Sequence, residues 1–194
     1  MEPRTRYRIL DHAAGLFARH GFRRTSLGVV AGAAGISKPG LLHHFGSKEM
    51  LYRAAMDESR EQGNALLGRV MRAPAGSARA RRAVELTIDF LLNRPGLAHL
   101  ALTSAGSGPG IREPGCVPAL VYELFGVAPH RGDTERSVRV IGTVSVLTAL
   151  CLSARTRDDG SDWRESVIAV GLDTLGWTDG SFREHSARPF SLRR

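Results

Sequence analysis

Lysine is nearly missing from this chain. Of 27 Lys and Arg residues, only Lys38 and Lys48 are lysines, and both fall in the stretch ISKPGLLHHFGSKEM. Cysteine is scarce as well. Cys116 and Cys151 stand alone without a CxxC pair, which argues against a disulfide framework and a zinc site and for a reducing, cytoplasmic setting. Aromatic residues make up 6% of the chain, so the core must be filled mostly by Leu, Val and Ala. The longest uncharged apolar run, Val140–Ala154, has 15 residues with Gly, Ser and Thr inside it. A membrane span needs about 20, so this run reads as a helix buried on more than one side and no membrane partner is expected. The opening MEPRTRYRIL lacks the apolar segment of a secretory signal.

Catalytic signatures are missing too. There is no GxSxG, no HExxH, no carboxylate pair on a common face and no nucleophile with a recognisable base. The glycines of GSGPG, Gly106–Gly110, follow a helical segment and lack the Lys-Ser/Thr of a phosphate-binding loop. The sequence therefore does not read as an enzyme, and it calls for no cofactor.

What is present is positive charge, unevenly spread. The formal net charge is +8 over 194 residues. Residues 1–50 carry eight basic residues against Glu2, Asp11 and Glu49, or +5, leaving +3 for the remaining 144. A basic module on a near-neutral body points to a polyanionic partner for the module.

The hydrophobic pattern is helical nearly throughout, with no repeated alternation of the strand type. Ile9, Leu10, Ala13, Leu16 and Phe17 define a first helix over Pro3–His20, with Gly21 as its left-handed stop. Thr25 or Ser26 can cap a short second helix with Leu27, Val30, Ala31 and Ala34 on one face, ended by Gly35. Ser37 can cap a short third helix with Leu41 and Phe45 as its buried pair and Gly46 as its stop. Pro39 is tolerated in that helix because first-turn amides have no intrahelical partner. Ser47 caps a long fourth helix running to Met71, and APAGS breaks the chain. Further helices are expected over 77–93, 97–104, 117–125, 134–157 and 161–175, nine in all. Ala105–Gly115 reads as a loop and 177–194 as a polar, Arg-rich tail that frays.

Two short helices joined by the turn AGISK and braced by a preceding helix make a helix-turn-helix. With Leu41 and Phe45 inward, Pro39 and His43 project from the opposite face of the third helix, flanked by Gly40, Leu42 and His44. The major groove accepts one α-helix, whose N-terminal side chains read base edges. His43 and His44 can pair with purine N7 and O6, Leu42 and Pro39 can touch a thymine methyl, and Gly40 lets the backbone come close. Adjacent histidines point about 100° apart on a helix, so no metal site is expected from them.

These residues carry a resemblance. GFRRTSLGVVAGAAGISKPGLLHHFGSKEML resembles the N-terminal DNA-binding segment of the TetR (tetracycline-repressor) family of bacterial transcription regulators. The match lies in Gly21-Phe22, Thr25-Ser26-Leu27, Val30-Ala31, Ala34-Gly35-Ile36-Ser37-Lys38, Leu41-Leu42-His43-His44-Phe45 and Ser47-Lys48-Glu49-Met50, and it covers about residues 6–55. Two positions depart: Val29 stands where the family usually has an acidic residue, and Leu42 where it has a phosphate-contacting tyrosine. The DNA-binding residues expected are Arg24, Thr25, Ser26, Lys38, Pro39, Gly40, Leu42, His43, His44 and Lys48.

The resemblance implies an all-α homodimer with a helix-turn-helix DNA-binding domain at 1–47 and a ligand-binding and dimerisation domain at 48–176. It implies a repressor of transcription, released from a pseudo-palindromic double-stranded DNA operator by an unidentified small-molecule effector. The alternative is a DNA-binding regulator without an effector, controlled by a protein partner or by abundance. The dimer is expected from the last two long helices through Val138, Ile141, Val144, Ser145, Thr148, Cys151, Val167, Val170 and Gly171, because the eighth helix is apolar over more than half its circumference. Polar groups that can orient an effector in the body are His99, Thr103, Ser104 and Tyr122.

Overall fold

The computed structural model describes residues 3–103, 119–127, 134–154 and 162–177, and every regular element among them is a helix. In chain order they are α1 (Pro3–Arg24), α2 (Leu27–Ala34), α3 (Lys38–Phe45), α4 (Lys48–Met71), α5 (Ser77–Asn93), α6 (Pro95–Thr103), α7 (Ala119–Leu124), α8 (Thr134–Ala154) and α9 (Asp162–Leu175). The expected loop 105–115, Cys116, Ser104 and the tail 178–194 lie outside the described residues, as do the ends expected for α7 and α8.

The helix boundaries follow from local chemistry. Ser26, Ser37 and Ser47 each sit in extended backbone and accept from the amide three residues on, Val29, Gly40 and Met50, at 3.1–3.2 Å. Each bond satisfies a first-turn amide that has no carbonyl partner within its helix. Gly35 closes α2 with φ 66 and ψ 37, and Ile36 reaches back to the Ala31 carbonyl at 3.0 Å. α1 extends past the expected end at His20, but with a kink: Gly21 takes φ 76 and ψ 163, a conformation open to glycine alone. α6 begins at Pro95, two residues before the expected start, because a first-turn position needs no amide hydrogen.

Three apolar clusters form the core. The first joins Ile9, Leu10, Phe17, Val30, Leu41 and Leu51 from α1–α4 with Leu97 and Leu100 of α6. The second packs Val84, Ile88 and Leu91 of α5 against Leu147 and Cys151 of α8 and Val167 and Ile168 of α9, with Ala98 of α6 joining it. A small third cluster centres on Val70, Ala83 and Leu86 beside Leu66, Leu124 and Phe125. The nine-residue α6 thus serves two cores from its two faces.

The α1–α6 seam is tight. Gly15 lies against Gly96, whose Cα is 3.3 Å from the position a Gly15 Cβ would take, and a Cβ on Gly96 would overlap the Asp11 carbonyl. The Asp11 carboxylate accepts from the Leu97 amide at 3.0 Å, capping α6 from a residue 86 positions earlier. On the other side, the buried Ser59 hydroxyl of α4 donates to the Leu97 carbonyl at 3.1 Å. The backbone of Leu97 is therefore held on both sides, from two helices, and its side chain is fully buried.

α8 is long and apolar enough, by length and composition, to cross a bilayer. Here it buries Val140, Thr143, Val144, Leu147 and Cys151 against its neighbours. Burial pushes the Cys151 thiol up to about 11, which leaves it a poor nucleophile at neutral pH.

Asp11 gives a pH signature. Burial raises its pKa from 3.8, against the lowering effect of the Leu97 and Gly96 amides and Arg94. A raised carboxyl binds its proton more tightly in the folded state, so its contribution to stability is present below the unfolded value and is lost as pH rises through the folded one. Asp11→Asn keeps an acceptor for Leu97 and removes the titration. Denaturant unfolding is expected to show wild type gaining stability relative to Asp11→Asn as pH falls from 7 towards 4. A gain in the opposite direction contradicts this placement of the carboxyl.

Candidate nucleic-acid interface

Hydrophobic anchoring sets the pose of α3. Leu41 and Phe45 are buried, while Lys38, Pro39, His43 and His44 are exposed and Gly40 and Leu42 are half-buried. The face opposite the anchors therefore carries two imidazoles, one ammonium and a proline, as the helical phase requires. The His43 and His44 rings meet edge to face with centroids 5.4 Å apart. No cluster of three or more His, Cys, Asp or Glu residues able to hold a metal ion occurs among the described residues.

Gly40 has a local role that the sequence did not suggest. A Cβ there would sit 3.0 Å from the Ser37 hydroxyl, so a side chain would crowd the cap that starts α3. Arg6 of α1 lies 5.3 Å from the centre of the Phe45 ring, placing a further cation at the end of α3. No short-range sequence signal pairs residues 39 positions apart.

The other expected contacts divide. Arg24 and Ser26 are exposed. Thr25 is buried, and its hydroxyl donates inward to the Leu16 and Gly21 carbonyls at 3.2 and 2.9 Å. Its side chain closes the α1–α2 corner rather than facing solvent.

Lys48 also turns inward. Its ammonium donates to the Thr25 carbonyl at 3.1 Å and the Arg23 carbonyl at 3.5 Å, and stands 4.5 Å from the centre of the Phe22 ring. Phe22 in turn meets Phe17 and Tyr52 at 6.0 and 5.3 Å. Lys48 thus ties the first turn of α4 to the end of α1. Carbonyl acceptors and a π face offset the mild cost of a cation at a helix N-terminus. Lys38, by contrast, is exposed at the start of α3.

The remaining expected site residues lie elsewhere. His99 and Thr103 stand one turn apart on α6, where the Thr103 hydroxyl donates to the His99 carbonyl at 2.8 Å. Tyr122 is half-buried on α7, and Ser104 is outside the described residues. Of the residues expected at a dimer contact, Val144, Cys151, Val167 and Gly171 are buried inside the subunit. A Cβ on Gly171 would come within 2.9 Å of Val84 and 3.2 Å of Leu147, so that glycine lets α9 approach α5 and α8 of its own chain. Val138, Ile141, Ser145 and Val170 face outwards, and Thr148 is half-buried with its hydroxyl donating to the Val144 carbonyl. Ala149 and Leu152 extend the outward face of α8.

This geometry agrees with the comparisons. Residues 9–55 match the family model described as bacterial regulatory proteins, tetR family. The fold is shared with the TetR-like transcriptional regulator LfrR from Mycobacterium smegmatis, at 21% identity and a TM-score of 0.61, over 88% of this chain and 95% of that one. It is shared also with a TetR family transcription regulator from Marinobacter aquaeolei VT8, at 21% identity and a TM-score of 0.55, over 90% and 98%. No curated protein matches by sequence. The lobe is a helix-turn-helix of the TetR type. Residues 9–55 are thus similar to the N-terminal segment of that family, and the helical fold is similar to that of TetR-like regulators.

The two lysines are expected to separate in a stability measurement on the free protein. Lys48→Ala should lower unfolding free energy by about 1–2 kcal/mol, through loss of the carbonyl bonds and the ring contact. Lys38→Ala should change it by less than about 0.5 kcal/mol, as exposed substitutions do. Equal effects would contradict the inward role of Lys48.

Proposed function

We propose that the chain is a repressor that binds a pseudo-palindromic DNA operator as a homodimer and leaves it when a small molecule binds the helical body. The observation that carries this reading is the presentation of α3: buried anchors on one face, a solvent-facing row of His43, His44, Pro39 and Lys38 on the other. A helix so held can enter a major groove and offer hydrogen-bonding groups to base edges. Ser26, Lys38 and Arg24 surround it as phosphate contacts, which position the lobe without reading sequence. Thr25 and Lys48 act indirectly in this reading, by fixing the corner that presents the first-turn amides of α2.

The DNA-binding domain is taken as 1–47 and the ligand-binding and dimerisation domain as 48–176, with α4 running from one into the other. A single lobe makes few base contacts, and a two-fold dimer doubles them. The outward stripe of Val138, Ile141, Ser145, Ala149 and Leu152 on α8, beside Val170 on α9, supports a dimer face. Val138 and Leu152 are about 60% exposed in the single chain, a degree unusual enough for aligned apolar residues to mark a contact surface. The buried residues Val144, Cys151, Val167 and Gly171 support that face from beneath. Acting on DNA, the protein works in the cytoplasm, and no catalytic step is assigned to it.

Effector release is a population shift. A ligand moves the dimer away from its DNA-competent state only as far as it binds the other state more tightly.

Selection from randomised DNA is expected to enrich a two-fold symmetric site with half-site centres about 34–36 Å apart or a multiple of that. Metabolite screening on the enriched duplex should then find a compound that releases it. Absence of any symmetric enrichment defeats the operator reading. A site that no metabolite releases favours the regulator without effector. On that duplex, Lys38→Ala should lower affinity for all sequences and flatten the log–log salt dependence by about one unit.

The dimer has its own check. Ile141→Arg is expected to convert the protein to monomers in sedimentation and to weaken operator binding at least tenfold, with the helical content unchanged. An intact dimer in that variant removes the α8–α9 face as the interface.

A further inference from the structure

A groove of about 720 Å³ opens where α1 meets the α5–α6 corner, lined among others by Arg4, Tyr7, Arg8, Asp11, Asn93 and Arg94. Arg4 and Arg8 stand one turn apart on α1, both exposed. The Arg94 guanidinium comes from the other side, 4.8 Å from the centre of the Tyr7 ring. No carboxylate forms an ion pair with any of these three arginines among the described residues. The one acid in the lining, Asp11, spends its carboxylate on the Leu97 amide.

The groove is not an extension of the DNA face. Arg6, between Arg4 and Arg8 in sequence, turns the other way, to Phe45 at the end of α3. On a helix, residues 4 and 8 share one face and residue 6 projects about 200° from residue 4. Arg4 and Arg8 therefore face the α5–α6 corner and away from the reading helix.

Three guanidiniums against one engaged carboxylate leave a concave surface with excess positive charge. Planar guanidinium forks match phosphoryl and carboxylate oxygens two at a time. Tyr7 supplies an apolar wall beside them. We propose that this groove binds a small molecule carrying a dianionic oxyanion head, gripped by Arg8 from α1 and Arg94 from the α5–α6 corner. Such a ligand touches the reading lobe and the body at once, three residues from the Asp11–Leu97 contact along each chain segment. The inference is independent of the repressor reading and of any cavity within the body.

The test is calorimetric titration of the full chain with inorganic pyrophosphate and, separately, with citrate, at fixed physiological ionic strength. Saturable binding of one anion per chain is expected with at least one probe, and the tighter probe tells whether the head is phosphoryl or carboxylate. Arg8→Ala and Arg94→Ala should each weaken it at least tenfold. Arg94→Lys, which keeps the charge and loses the fork, should weaken it severalfold and guards against a misfolded Ala variant. Arg69→Ala, an exposed arginine at the far end of α4, should change it less than twofold. No saturable heat with either probe overturns the proposal, and so does equal weakening by Arg69→Ala, which would reduce the effect to overall charge.

Discussion

The structure turns on one residue, Leu97. Its amide is taken by Asp11 of α1, its carbonyl by Ser59 of α4, and its side chain fills the core shared by α1–α4. Burying a leucine of this kind stabilises by roughly 1.5–3 kcal/mol, and an uncapped first-turn amide in the same place costs about 1–3 kcal/mol. The facing glycines, Gly15 and Gly96, are what let the two helices come close enough for this. A helix-turn-helix of some 47 residues has a small core of its own. Here that core is completed by a helix from the body, so reader and body do not pack independently.

This constraint gives α6 a mechanical position. On one face Leu97 and Leu100 belong to the reader, and on the other Ala98 belongs to the cluster formed with α5, α8 and α9. α4 leaves the reader at Lys48, which is bonded back to the α1–α2 corner, and passes Ser59 on its way into the body. Any displacement of α6 by a ligand must therefore strain α1 and α4 together. Close-packed interfaces of this sort have discrete arrangements rather than a continuous range, which suits the two-state release proposed above.

Much of the reader was legible in the sequence because its signals are short-range. Ser26, Gly35, Ser37, Gly46 and Ser47 mark helix ends by chemistry acting within four residues, and the i, i+3, i+4 pattern of Leu27, Val30, Ala31 and Ala34 gave the buried face of α2. Side-chain direction at Thr25 and Lys48 was not legible. Both look available for phosphate, and both are claimed by carbonyls that only the folded corner brings near. Asp11 offered no signal at all, since its partner lies 86 residues on. The faces of α8 were ambiguous for a different reason: a helix apolar over most of its circumference has no phase to read. Only packing against α5 and α9 separates the inner Val144 and Cys151 from the outer Val138, Ile141 and Leu152.

Amide hydrogen exchange at Leu97 in the free protein tests the joint most directly. Exchange there should require opening of the reader core, so Leu97 should fall among the slowest amides, alongside Leu10 and Leu51, and Asp11→Ala should move it to a faster class while those two stay slow. If the Leu97 amide exchanges at the rate of an exposed first-turn amide in the wild-type protein, the reader and the body are not coupled through this residue and the account fails.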